Sequence, residues 1–168
     1  MSQDRRLAAI MFTDIVGYTS LMGKDEKKAF QLLEKNRNIH KPLIEKYHGT
    51  FLKEIGDAIL ASFPNVYDAV ICAIQIIKAT KKEHDLSLRI GVHEGEVVFK
   101  AGDVYGDGVN IAARIEGLAE AGGISISGTV YDQVENKLPL GYEYMGEKIV
   151  KNITRPLRVY KIQFDTDC

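Results

Sequence analysis

The sequence predicts an α/β sandwich: a mostly antiparallel sheet with flanking helices. Three observations predict it. Short apolar runs alternate with segments of helical periodicity. A glycine–aspartate turn joins two strand-like runs in the first half. The element order is strand, helix, hairpin, helix, strand, followed by a strand–helix–strand appendix, a ferredoxin-like arrangement. The chain has 168 residues, which fits a single domain spanning the whole chain with a core at about 7–162.

Each element has its own signal. Residues 7–14, Leu-Ala-Ala-Ile-Met-Phe-Thr-Asp, form an apolar run that ends on a carboxylate, the pattern of a buried strand delivering Asp14 at its end. After Gly17 a helical pattern runs from roughly Lys24 to His48, where Gly49 stops it; Pro42 predicts a kink or a break. Two strand-like runs flank Gly56-Asp57 and predict a hairpin with a carboxylate at its tip. Residues 66–82 read as a second helix, with Val66, Ala69, Val70, Ala73 and Ile77 on one face. A strand at 86–92 and another at 96–99 follow. A third helix is expected from about Gly108 to Ala119, then short strands near 124–127, 142–146 and 157–164.

Composition excludes several functions. Lys and Arg total 22 and Asp and Glu 23, a net charge of −1. No bulk positive field draws nucleic acid or anionic lipid. No stretch approaches the roughly 18 apolar residues of a membrane span, so no membrane contact is expected. Cys72 sits in an apolar run and Cys168 ends the chain, without motif spacing, which is a reduced, cytoplasmic usage. The start, Met1 to Arg6, has no apolar signal region. His93 follows a strand and has no second ligand at metal spacing, so it reads as structural. His40, His48 and His84 read as solvated helix-end residues.

Asp14 and Asp57 are the first chemical signal. In the predicted sheet, the first strand and the hairpin lie side by side, so both carboxylates reach one edge, close enough to share divalent cations. Hard oxygen donors of this kind suit Mg²⁺ or Mn²⁺ carried with a polyphosphate. Free backbone N–H groups after Gly17 could cradle phosphate. On these two residues alone, a helix cap and a turn residue explain the pattern as well.

Four further segments resolve that ambiguity. Phe12-Thr13-Asp14-Ile15-Val16-Gly17-Tyr18-Thr19, Lys53-Glu54-Ile55-Gly56-Asp57-Ala58, Arg89-Ile90-Gly91-Val92-His93-Glu94-Gly95 and Asp103-Val104-Tyr105-Gly106-Asp107-Gly108-Val109-Asn110-Ile111-Ala112-Ala113-Arg114 occur in order. Together they resemble the class III nucleotidyl (adenylyl/guanylyl) cyclase catalytic domain, most like a bacterial adenylyl cyclase, over about residues 7–162.

The resemblance implies a role for each matching position. Asp14 and Asp57 match the metal-binding aspartates, with the Ile15 carbonyl as a further ligand of two divalent cations, Mg²⁺ or Mn²⁺. Gly17, Tyr18 and Thr19 remain the substrate-binding candidates of the turn that could cradle phosphate, on the residue reading above. Lys53 and Asp103 match the pair that reads the purine. Asn110 matches the asparagine that orients the ribose, and Arg114 the transition-state arginine; at i and i+4 they share one helix face. Lys151 matches the lysine on the terminal phosphates, although Asn152 stands where glycine usually follows. Arg114 and Glu116 also fit an exposed polar helix face.

The base-reading pair selects the substrate. Lys53 can donate to adenine N1 and Asp103 can accept from the N6 amine, whereas guanine presents the reverse pattern. Buried mismatches cost about 1–3 kcal/mol each. The implied activity is adenylyl cyclase, converting ATP to 3′,5′-cyclic AMP and pyrophosphate. In the family, metal aspartates and purine-binding residues come from different subunits. One chain carrying both sets implies a head-to-tail homodimer, with a regulatory domain commonly fused. The alternatives are a guanylyl cyclase and a non-catalytic nucleotide-binding regulatory module.

Overall fold

A computed structural model describes residues 4–150 and 153–164 of the chain. The first strand, β1 (Asp4–Ile15), is buried on successive residues from Ala8 to Met11. That pattern belongs to a strand covered on both faces. Its side chains alternate between two apolar clusters. Ala9, Met11 and Ile15 face one, whereas Ala8 and Ile10, with Phe12 packed against them, face the other.

Gly17, at φ +77°, turns the chain into α1 (Tyr18–Lys24). Asp25 then caps α2 (Glu26–Lys46) by accepting from Lys28 N–H. The break in the helical pattern therefore falls at Asp25 and not at Pro42, which lies inside α2. Pro42 is exposed, as is Asn38, the residue whose carbonyl loses its helical partner, so that carbonyl is left on the hydrated side. At the far end, His48 takes φ +67° and Gly49 N–H bonds back to the Ile44 carbonyl.

β2 (Thr50–Ile55) and β3 (Ala58–Phe63) form the expected hairpin. Gly56 carries the positive φ of +60° that the first turn position demands. α3 (Val66–Lys81) matches its predicted span and is capped by Asn65, which accepts from Asp68 N–H. The two strands expected at 86–92 and 96–99 are one, β4 (Leu88–Lys100), because β1 pairs with it along its whole length and carries it through Gly95. A turn with positive φ at both Ala101 and Gly102 reverses the chain into β5 (Asp103–Tyr105).

The rest comprises α4 (Asp107–Gly117), β6 (Gly123–Ser127), α5 (Gly128–Val134), β7 (Gly141–Lys148) and β8 (Leu157–Gln163). The sequence reading did not anticipate β5 or α5. The sheet order is β2-β3-β1-β4-β6-β8-β7, with β5 on β4. Among the described residues only the β4–β6 pairing is parallel. The larger cluster lies between the sheet and α2, α3 and α5; the smaller lies under α4. The predicted α/β sandwich is the observed fold. No helix among the described residues is long and apolar enough to cross a membrane.

Candidate active site

β1 lies between β3 and β4, so the end of β1 meets the β2–β3 turn. Asp57 Oδ2, in that turn, accepts from the Ile15 N–H at 2.9 Å. This bond ties the turn to the end of β1 and sets Asp14, Ile15 and Asp57 side by side. Arg89 is the cross-strand partner of Asp14 on β4, and its guanidinium lies 3.8 Å from Asp14 Oδ1.

A fourth side chain joins this group. Glu116 of α4, read from sequence as one member of an exposed polar face, is 5% exposed. Burial, and then the neighbouring Asp14 charge, raise the Glu116 pKa to about 8. Burial also raises that of Asp14, opposed by the hydrogen bond from Glu116, with Asp57 adding to the rise. As two carboxylates neither group can donate, and Asp14 Oδ1 is then a buried acceptor without a donor. The burial has a signal in the sequence: Glu116 lies four residues after Ala112, on the apolar side of α4, opposite Arg114.

The donor set at this edge fits divalent metal. It offers two hard carboxylates and a backbone carbonyl at the end of a strand, with one carboxylate oxygen lacking a donor. The described residues contain no group of three or more His, Cys, Asp or Glu that could hold an ion. A two-carboxylate site leaves its remaining coordination positions to phosphate oxygens and water.

A second constellation forms beside it. Lys53 Nζ donates to Asp103 Oδ1 at 2.7 Å, across the gap between β2 and β5. That bond, with the Val104 N–H that also donates to Asp103, holds the Asp103 carboxyl below its usual range. Lys53 lines a cleft of about 390 Å³ with Phe12, Val104, Tyr105, Val109 and Asn110. The lining is largely apolar, with Lys53 and Asn110 among its polar side chains, the mix that a flat heterocycle requires. Arg114 lies one turn beyond Asn110 on the exposed face of α4. Gly17 ends in the left-handed region at the start of α1, with Tyr18 and Thr19 in its first turn and no side chain capping it. Lys151 and Asn152 lie outside the described residues.

The histidines divide differently from the sequence reading. His48 and His84 are exposed, as expected. His40 is wholly buried: its Nδ1–H donates to the Asn36 carbonyl at 2.8 Å, and its Nε2 accepts from the Thr13 hydroxyl at 2.9 Å. It lies six residues before the end of α2, where helical spacing puts it with Asn36 and Ile44 on the buried face. Burial lowers its pKa to about 4. His93 is structural, buried with Nδ1 2.7 Å from the Ser127 hydroxyl.

A mostly antiparallel α/β sandwich with two carboxylates side by side at the end of its central strand, next to a largely apolar cleft, defines a nucleotide-binding class of domain. Residues 1–163 match the adenylate and guanylate cyclase catalytic domain, and the chain belongs to that family. A Rhizobium meliloti protein provisionally named adenylate cyclase 3 is 37% identical over 164 residues, covering 93% of this chain and 28% of that protein. The crystal structure of an adenylate/guanylate cyclase/hydrolase from Silicibacter pomeroyi superposes with a TM-score of 0.90 at 34% identity, covering 98% of this chain and all of that one. The adenylyl cyclase CyaB of P. aeruginosa gives a TM-score of 0.87 at 25% identity, covering 98% and 97%. The chain thus spans well under half the length of the first curated relatives it matches.

Proposed function

We propose that this chain is an adenylyl cyclase domain, converting ATP to 3′,5′-cyclic AMP and pyrophosphate at sites shared between two copies in a head-to-tail homodimer. The observation that carries the reading is the pairing of Lys53 with Asp103 beside a cleft that Asn110 also lines, on a chain whose two metal-type carboxylates meet at Ile15.

Adenine in the cleft takes the place of the Lys53–Asp103 bond: the ammonium donates to N1 and the carboxylate accepts from N6. Asn110 orients the ribose, and Arg114, one helical turn on, stabilises charge on the transferring phosphoryl as the 3′-hydroxyl attacks the α-phosphorus in line. Backbone N–H groups at Gly17, Tyr18 and Thr19 receive phosphate oxygens. Lys151 holds the departing pyrophosphate. Asp14, Asp57 and the Ile15 carbonyl would hold two Mg²⁺ or Mn²⁺ ions, which supply charge neutralisation on the phosphates and acidify the hydroxyl.

The greater length of the relatives supports a catalytic domain fused to a regulatory one, working in the cytoplasm where ATP and Mg²⁺ are abundant. A guanylyl cyclase is disfavoured by the Lys53–Asp103 pattern. A non-catalytic module is disfavoured by the presence of both aspartates and Arg114. Purified protein with Mn²⁺ and either ATP or GTP decides among them. Cyclic AMP formed in preference to cyclic GMP supports the reading, preferential cyclic GMP replaces it with the guanylyl alternative, and binding without either product leaves the non-catalytic module.

A further inference from the structure

β2 carries an irregularity in its pairing with β3. Phe51 lies opposite Ala61 and Lys53 opposite Leu60, so Leu52 is an extra residue, a β-bulge. Directly opposed residues share one face of a sheet. Ala61 belongs to the larger cluster, toward α2, and Phe51 packs against it. Leu60 belongs to the smaller cluster, under α4, and Leu52 packs against it. Unbroken alternation would return Lys53 to the face of Phe51, away from the cleft. The extra residue leaves both Leu52 and Lys53 on the α4 face and turns Glu54, opposite Ile59, toward α2. Lys53 can thereby reach Asp103 at 2.7 Å.

This register has a dedicated contact on the other face. Among the described residues β2 is an edge strand, with β3 as its one hydrogen-bonded neighbour, so its register is held from one side alone. Arg37 of α2 grips the half-buried Glu54 with two prongs: Nε donates to Oε1, and Nη2 to Oε2 at 3.2 Å. Three residues on, His40 seats the same helix on the central strand, its Nε2 2.9 Å from the Thr13 hydroxyl. Arg37 thus ties the edge strand to a helix anchored on β1.

We propose that the Arg37–Glu54 pair is the positioning contact for Lys53: it holds β2 in its bulged register and so keeps the Lys53 ammonium in the base-reading cleft. This inference deepens the adenine reading above and rests on it. A slip of one residue would carry Lys53 to the opposite face. The Lys53–Asp103 bond cannot prevent that slip in the working complex, because adenine takes its place. Arg37 itself does not line the cleft.

The test is kcat/KM for ATP and for GTP in Arg37→Ala, Lys53→Ala and the double variant, at one fixed Mn²⁺ concentration. A contact that only stabilises the fold would lower both nucleotides in proportion. A contact that aims Lys53 should lower the ATP:GTP ratio at least about fivefold in Arg37→Ala. In the double variant the ratio should lie within about twofold of that in Lys53→Ala, because the pair acts through Lys53. Should Arg37→Ala fail to fold, Arg37→Lys replaces it, keeping the charge but losing the fork, with the ratio expected to fall at least about threefold. An unchanged ratio, or a further fall in the double variant as large as in the single one, overturns the proposal. If Lys53→Ala itself keeps the parent ratio, the base reading fails, and the register is then read directly by nuclear magnetic resonance. The cross-strand contact between the Lys53 and Leu60 backbone protons should weaken in the Arg37 variant while that between Phe51 and Ala61 persists. Retention of both contacts overturns the proposal.

Discussion

Lys53 and Asp103, fifty residues apart, meet at 2.7 Å where β2 faces β5. Each satisfies the other, and each presents the opposite hydrogen-bonding character. A base that enters the cleft must therefore offer an acceptor to one and a donor to the other.

Exchanging that character should move the substrate preference. In Lys53→Glu with Asp103→Cys, the ATP kcat/KM should fall at least about tenfold and the GTP value should rise relative to it. The measurement is kcat/KM for both nucleotides at one fixed Mn²⁺ concentration. A double variant with the ATP:GTP ratio of the parent protein shows that these residues do not read the base.

Removing either metal-type carboxylate should abolish turnover while sparing the fold. Asp57 is half-buried in a turn and Asp14 half-buried at a strand end, so neither fills the core, although Asp57→Ala also removes the acceptor of the Ile15 N–H. For Asp57→Ala, kcat should fall by about three orders of magnitude, several kcal/mol of barrier, as phosphate charge goes uncompensated. Its far-ultraviolet circular dichroism should match that of the parent. Near-native turnover in Mg²⁺ or Mn²⁺ contradicts the metal assignment.

The architecture was legible because it rests on patterns a single chain displays: the apolar run to Asp14, the Gly56-Asp57 turn and the periodicity of α3. What was hidden depends on pairing between distant segments. β4 runs unbroken through Gly95 because β1 pairs with it over its full length. Only three residues of β5 pair with β4, too few to show an alternation. Lys53, Asp103, the two aspartates and Arg89 lie in motif segments, but Glu116 and His40 lie in none. Their positions follow from which helix face the sheet covers. Glu116 could have been suspected from its spacing to Ala112, and His40 from its spacing to Asn36 and Ile44.

His40 should make stability depend on pH. Its buried imidazole is held neutral, with the pKa lowered from 6.5 to about 4 chiefly by burial, while the Asn36 carbonyl opposes the shift. Between those values the unfolded chain binds the extra proton, so stability falls as pH drops from 6.5 to 4 and the contribution is fully lost below 4. Glu116 works in the opposite sense, since its raised pKa favours the folded state as pH falls below about 8. A difference measurement separates them. His40→Gln can keep a polar contact to Thr13 but does not titrate. Relative to it, the parent should lose up to about 1.4 kcal/mol per pH unit across the window, read from urea midpoints. Parallel curves for the two proteins contradict a buried neutral His40.

In the proposed dimer, ATP is cyclised where the aspartates of one chain meet the arginine of another. Co-expression of Asp57→Ala with Arg114→Ala puts this arrangement to the test. Each variant alone should be nearly inactive, because every site of its homodimer lacks one group. Random assortment makes about half the dimers mixed, each with one complete site, so cyclic AMP formation should recover to roughly a quarter of the parent rate. A preparation shown to contain mixed dimers, yet as inactive as either variant alone, contradicts the claim.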